Sequence, residues 1–469
     1  MARMSSLWSR RWLRWGLAVV AIMLLLAGGA AAFLILHTPG NVSHPNLSFT
    51  APTTTTASTP PPTKKAAVST FIWPRYGFDA ARTRLFPNSA ALTPPLRVGW
   101  TFEDYALLEF PPVIYNNVLY LVDDDGSAKA INALNGHLIW QHKIGTLAAA
   151  SPAVGARERM IFVPLLSVNS NAGQTPGNGR IVALSMKTGR VAWSHVIAPG
   201  TESSPIVWGT TLYFGDQGGT MYSMRARDGH VNWTYHASGA VKGGPALDHG
   251  ILYFGDYTGR AYALNADNGH QIWAVSTNGA RFGFGSGNFY STPAVAFGRV
   301  YMGNTDGRVY SFAAHTGQLA WATGTGAYVY SSAAVADPPG IGPTVYLGSY
   351  DGNFYAFNAQ SGAIRWTHAA GGRISGSPII IGDVVYFSDL GTKSTAGLNL
   401  RTGQQVFSFP DGAFNPAVAD DRAIYLVGYS KLYELLPRRS HRAKTTATRA
   451  AVAAAVHRAA HKVQQKRRK

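Results

Sequence analysis

The sequence predicts an all-β fold, an eight-bladed β-propeller of four-stranded antiparallel blades, behind an N-terminal transmembrane helix. Three observations carry the prediction. The stretch Ile251–Trp273, ILYFGDYTGRAYALNADNGHQIW, holds three short runs separated by turns at Gly255–Gly259 and Asn268-Gly269. Within the runs, large apolar residues alternate with small or polar ones, as half-buried strands require, because successive side chains point to opposite faces. Second, the unit recurs. A glycine followed four residues later by an aromatic is found at Gly136/Trp140, Gly189/Trp193, Gly229/Trp233, Gly269/Trp273, Gly317/Trp321, Gly362/Trp366 and Gly403/Phe407. Six of these glycines have another ten residues upstream: Gly126, Gly179, Gly219, Gly259, Gly307 and Gly352. Third, a fourth strand opens most units, at Ser151-Pro, Ser204-Pro, Gly244-Pro, Thr292-Pro and Ser377-Pro. Proline is tolerated there because its missing N–H lies outside the ladder. Four strands every ~40 residues is the signature of a propeller.

The chain divides into five parts. Residues 1–15 form a basic, cytoplasmic N-terminus with Arg3, Arg10, Arg11 and Arg14. Gly16–Leu36 is 21 residues without a charge, long enough at about 1.5 Å per residue to span a bilayer core of roughly 30 Å. The arginines before it, and the absence of any charge after it until Lys64, place the N-terminus inside and the rest outside the cytoplasm. A cleaved signal peptide is the competing reading, but the apolar run continues past the small-residue site Ala30-Ala31-Ala32. Residues 37–70, rich in Pro and Thr, read as a disordered stalk. The propeller follows at 71–437, then a basic, Ala-rich tail at 438–469.

Closure decides the blade count. Leu96–Phe102 has a Trp-bearing outer strand with no strands of its own before it. Phe414–Leu436 has three strands and no terminal Trp. Each supplies what the other lacks, so the N-terminal strand completes the last blade and seven internal blades become eight. Such closure removes exposed sheet edges. A seven-bladed ring with a stray hairpin is the alternative. The seventh unit, Ser388–Leu400, lacks the ten-residue glycine spacing and reads as irregular.

Composition narrows the chemistry. There is no cysteine, so disulfides and thiolate metal sites are excluded. The formal charge of +18 sits mostly at the two ends. Eleven Lys or Arg and no acid lie in Arg438–Lys469, which leaves about +3 on the body. Nucleic acid is not an expected partner, because the topology places the tail outside the cytoplasm. Its expected contacts are anionic wall polymers or lipid headgroups.

The repeat, with its consensus YxG-D-x-x-G-x-xYALNAxxGxxxW, resembles that of quinoprotein dehydrogenases, whose cofactor is pyrroloquinoline quinone (PQQ). It is similar also to the propeller subunit of the outer-membrane β-barrel assembly machine. Trp73-Pro-Arg-Tyr-Gly-Phe-Asp79-Ala-Ala-Arg82-Thr resembles the lead-in segment of such proteins. The resemblance implies either a PQQ-dependent membrane-bound dehydrogenase or a non-catalytic scaffold, since one fold hosts both. The enzymes hold PQQ beneath a disulfide between adjacent cysteines, which this chain cannot form. PQQ is therefore possible but unsupported, and no catalytic or metal residue is assigned. His137, His230, His270 and His315 lack metal-ligand spacing and read as turn residues. Asp216, Asp256, Asp306 and Asp351 recur at one repeat position and read as turn formers.

A ligand or partner would meet the loops that converge at the channel mouth. The residues there are Glu109, Phe110, Glu202, Lys242, Tyr290, Tyr330, Arg373, Phe414 and Asn415. The glycine-rich loop Arg281–Tyr290, with Arg281, Phe282, Phe284 and Phe289, adds exposed aromatics suited to adaptable contacts. The expected function is a membrane-anchored, extracytoplasmic binding or assembly scaffold, its partner an envelope protein or peptide.

Overall fold

A computed structural model describes residues 5–36, 40–52, 71–86, 92–168, 179–277 and 287–438. It has eight antiparallel sheets arranged as the blades of a propeller. Blade 4 shows the pattern: Ala246–Asp248, Ile251–Gly255, Arg260–Asn265 and Gln271–Ser276 run from the channel outward. Between the third and outer strands the register slips, Ala263 pairing with Trp273 and Leu264 with Gln271. The same slip occurs at Ala130, Ala183, Ser223, Ser311, Ala356 and Gly397. A bulge of this kind increases local twist and re-aims the tryptophan.

Blade 8 closes as expected. Leu96–Glu103 pairs antiparallel with Lys431–Pro437, from Glu103 opposite Lys431 to Leu96 opposite Pro437. The seventh blade is regular, contrary to expectation. Ser388 pairs with Thr395 and Asp389 with Ser394 across a tight turn. There the Asp389 carboxylate accepts the Gly391 and Thr392 N–H groups, and Lys393, at positive φ, stands where blades 1 and 3 to 6 have glycine.

The repeat residues join one blade to the next. Indole N–H groups of Trp100, Trp140, Trp193, Trp233, Trp273, Trp321 and Trp366 donate to backbone carbonyls of the following blade at 2.8–3.1 Å. The repeated aspartates are structural. Asp256 accepts the Thr258 and Arg260 N–H groups on one oxygen and the Tyr262 hydroxyl, at 2.7 Å, on the other. Asp216–Tyr222, Asp351–Tyr355 and Asp420–Tyr425 repeat the carboxylate–phenol bond. In blade 1 a lysine stands at the tyrosine position: buried Lys129 bonds Asp123 and, at 2.7 Å, Asp104.

Two N-terminal segments are built into the ring. Residues 71–86 thread the channel. Ile72–Trp73 pairs with the inner strand of blade 1 and Leu85–Phe86 lies parallel to that of blade 7. Between them, inner-strand amides of Val154, Leu247, Val295, Val335 and Ile380 donate to Pro74, Ala80, Ala81, Thr83 and Arg84. Arg75 reaches the Val207 carbonyl of blade 3. The thread therefore bonds all of blades 1 to 7 and fills the channel.

The second segment, residues 40–52, corrects the reading of 37–70 as a disordered stalk throughout. Val42–Ser43 extends blade 5 as an outer fifth strand, opposite Ala322 and Trp321. His44 N–H donates to Ala320 and Thr50 N–H to Phe297, while the Phe49 ring packs on Phe297 and beneath Arg299. Three apolar residues, Val42, Leu47 and Phe49, supply the grip that a Pro/Thr composition conceals. Residues 53–70 lie outside those described.

An α-helix runs Ser5–Leu36. Its large apolar side chains from Trp15 to Leu26 are exposed, Leu25 at 75%. Among the described residues no helix is long and apolar enough to cross a membrane; side chains of this helix are described only over residues 15–30 and 32.

Candidate functional site

Each inner strand begins at the channel rim, and the residue two positions before its start makes a belt around it. Ser151 N–H donates to the Ser204 hydroxyl, Gly244 N–H to Thr292, Thr292 N–H to Ser332 and Ser332 N–H to Ser377, at 2.9–3.1 Å. Ser377 N–H donates to Asn415, whose amide donates in turn to the Glu109 carbonyl. Blades 3 and 4 break the series, since Gly244 offers no side chain and a Cβ there would collide with the Ser204 carbonyl. Arg82 of the thread fills the break. It is fully buried and donates to the carbonyls of Tyr76, Ser204, Pro205 and Pro245. Burial and the neighbouring Arg75 and Arg84 guanidinium groups hold its pKa well below the usual arginine range. The four carbonyl acceptors stand in for an anion.

Above this belt is a blind cavity of about 450 Å³, counting the solvent at its mouth. Tyr76, from the thread, contributes to its lining. The Tyr76 hydroxyl bonds Asn415 at 2.6 Å and its ring meets Phe110 edge-on at 5.6 Å. Behind Tyr76, the Arg84 guanidinium stacks 4.1 Å from the ring centroid. Glu109, Phe110, Glu202 and Lys242 line the cavity. Tyr290, Tyr330, Phe414 and Asn415 line it as well. Tyrosines continue around the rim: Tyr257 meets Tyr290 at 6.2 Å, Tyr290 meets Tyr330 at 5.5 Å, and Tyr330 meets Tyr350 at 4.9 Å.

The cavity's charges are unequal. Lys242 bonds Glu202 at 2.7 Å and lies 4.7 Å from the Tyr257 centroid. Gln217 also donates to Glu202. Burial, then the negative charges of Asp124 and Glu202, push the Glu109 carboxyl up to about 7. Burial, then the Glu202 and Glu109 carboxylates, push the Tyr290 phenol well above its usual range.

Eight of the residues singled out in the sequence thus meet in one cavity. Arg373 does not; it is exposed on the rim, 5.9 Å from the Tyr350 centroid. Phe289 requires a correction. It is wholly buried in the core between blades 4 and 5, against Tyr310 and Phe312, and offers a partner nothing. It fills the space above Gly255, where a Cβ would collide with it. Arg281, Phe282 and Phe284 lie outside the described residues. Tyr76, Tyr257 and Tyr350 escaped sequence reasoning. The belt had a signal in the residues preceding the strand-opening prolines, although Ser332, which precedes Ala333, lacks it.

His137, His230, His270 and His315 are exposed turn residues, and among the described residues no group of acidic or histidine side chains is arranged to hold a metal.

An eight-bladed ring with this Trp-docking repeat defines a PQQ-type β-propeller. The chain belongs to the family described as outer membrane protein assembly factor BamB, whose profile matches residues 97–275, 177–335 and 324–465. No curated protein matches. Among solved structures, BamB from Moraxella catarrhalis is 19% identical, with a TM-score of 0.58, over 73% of this chain and 99% of that one. A quinohemoprotein alcohol dehydrogenase from Comamonas testosteroni is 13% identical, TM-score 0.62, over 78% of this chain and 81% of the enzyme. A computationally designed protein, Ika8, is 15% identical, TM-score 0.56, over 72% and 100%. At such identities the likeness is one of fold, which an assembly factor, an enzyme and a design share.

Proposed function

We propose that this protein is a membrane-anchored, non-catalytic scaffold of the cell envelope that holds a polypeptide partner at its channel mouth. The observation that carries the reading is the thread through the channel. It turns the ring's centre into a shallow, blind, tyrosine-rimmed recess on one face, suited to receiving a protruding side chain or loop. The family's description as an assembly factor agrees with it. For the anchor, the support is the uncharged run Gly16–Leu36 and the exposure of its helix from Trp15 to Leu26, apolar all round. The tail 438–469, of which residues 439–469 lie outside the described residues, would add contacts to anionic lipid headgroups or wall polymers.

A PQQ-dependent dehydrogenase is the rival, favoured by the likeness to the Comamonas enzyme. The residues present fit that cofactor poorly. It is a polycarboxylate, and the recess offers Glu109 and Glu202 against Lys242 alone. The test is photo-cross-linking in intact cells from Tyr328, 54% exposed on the rim, with Trp208 at the far end of blade 3 as control. A discrete envelope polypeptide captured from Tyr328 and not from Trp208 is expected. Dye-linked alcohol or sugar oxidation on adding PQQ and Ca²⁺ would overturn the scaffold reading. For the anchor, removal of residues 1–36 should release the protein from the membrane fraction.

A further inference from the structure

We infer that the recess at the channel mouth is a receptor for a cationic side chain, so that the partner presents a lysine or arginine to Glu109. The inference rests on the scaffold reading above and adds the chemistry of the partner.

The recess already shows how it holds a cation. Lys242 lies over the face of Tyr257 and ends on the Glu202 carboxylate. An aromatic face draws the ammonium through its quadrupole, and the carboxylate neutralises it. Glu109 offers the same pair of features with the cation missing. Phe110 and Tyr76, whose rings meet edge-on, line the same recess, as do Tyr290 and Tyr330. Among the described residues, no hydrogen bond or ion pair reaches its carboxylate; only its main-chain carbonyl is engaged, by Asn415. The charges acting on it are negative, those of Asp124 and Glu202. Neither nearby arginine pairs with it. Arg82 is spent on backbone carbonyls, and Arg84 lies behind the Tyr76 ring.

A partly buried carboxylate without a counter-charge is held at a cost that a bound cation removes. An anionic or purely apolar group would leave that cost in place or add to it. The occupant is therefore a protonated amine or a guanidinium on an arm long enough to reach the recess. The rim tyrosines Tyr328 and Tyr350 would take the flanking peptide. Tyr328 is 54% exposed and meets Tyr330 edge-on.

The experiment uses the full-length protein and four acetylated, amidated hexapeptides, alike except for a central lysine, arginine, norleucine or glutamate. Binding is followed by fluorescence polarisation at pH 8 in low salt. The lysine or arginine peptide should bind at least about tenfold more tightly than the norleucine peptide, and Glu109→Gln should remove that advantage. Equal binding of the norleucine peptide, preference for the glutamate peptide, absence of binding by all four, or an unchanged preference in Glu109→Gln would each overturn the inference. The peptide series on the unmodified protein keeps the test decisive if Glu109→Gln folds poorly. A cross-link from Tyr328 in cells, alongside failure of the basic peptides, would leave the scaffold standing and remove only its cation receptor.

Discussion

The α-carbon of Gly269 lies flat against the indole of Trp233, one blade back: a Cβ added there would come within 2.7 Å of Cε3. Gly269 also has a φ of +73°, a conformation that costs an L-residue free energy even in open space. Gly136, Gly189, Gly229, Gly317, Gly362 and Gly403 repeat the relationship with Trp100, Trp140, Trp193, Trp273, Trp321 and Trp366. The glycine and tryptophan that recur together in sequence thus belong to two different contacts, each reaching a neighbouring blade.

Gly269→Ala should destabilise the protein by about 1–3 kcal/mol, the sum of backbone strain and overpacking. Trp233→Phe should cost about 1 kcal/mol or more for the lost bond to the Ala266 carbonyl and the smaller ring. Urea unfolding of both variants measures this. Gly269→Ala as stable as the parent would mean that the glycine contact is dispensable.

Replacing Arg82 by methionine strands the carbonyls of Ser204, Pro205, Pro245 and Tyr76 without a donor. At about 1–3 kcal/mol for each buried group left unpaired, a loss of at least ~3 kcal/mol is expected. Lysine should rescue little, because one ammonium cannot reproduce the planar fork. Chemical denaturation of the two variants checks both expectations.

Stability should depend on pH through Glu109. Its folded pKa, about 7, lies above the ordinary 4.5. Between those values the folded protein holds more protons than the unfolded chain, so stability falls as pH rises through this window. Asp123, raised to about 7, and Asp124 and Asp306, raised to about 6, act with the same sign. Comparison with Glu109→Gln isolates one group. The variant should match the parent near pH 4 and exceed it by about 1–2 kcal/mol at pH 8, allowing for solvent at the mouth. A difference that does not change with pH would show that the carboxylate titrates normally.

The docked segment 40–52 should be visible by hydrogen exchange. The amides of His44 and Thr50, bonded to Ala320 and Phe297, are expected to be protected. Phe49→Ala removes the ring contacts to Phe297 and Arg299 and should raise their exchange rates at least about tenfold while core amides of blade 5 change little. Fast exchange in the unaltered protein would mean that the fifth strand is not held.

Blade number and closure were legible because spacing is a property of the chain itself: Leu96–Phe102 lacked partners and Phe414–Leu436 lacked a fourth strand. The mouth was legible for a related reason, since residues that precede inner strands must converge on the axis. What escaped depends on contacts between distant residues. Nothing periodic marks the course of 71–86, so Tyr76 could not be placed on the recess nor Arg82 in the gap left by Gly244. Phe289 was misread from its glycine-rich surroundings, because the space it fills is made by Gly255, far back in the chain. Lys393 at a φ of +50° lets blade 7 turn without the expected glycine.

The thread also bears on the order in which the molecule can be made. Residues 72–86 leave the ribosome before any complete blade, whereas the ring is sealed only when Lys431–Pro437 meets Leu96–Glu103. A ring sealed first would have to admit a segment whose Arg82 and Arg84 end up buried at its centre. With the thread at the N-terminal side, each new inner strand finds its carbonyls already waiting, and the final strand locks them in. The segment works as a mandrel: the propeller is wound around it, and the two come apart only together.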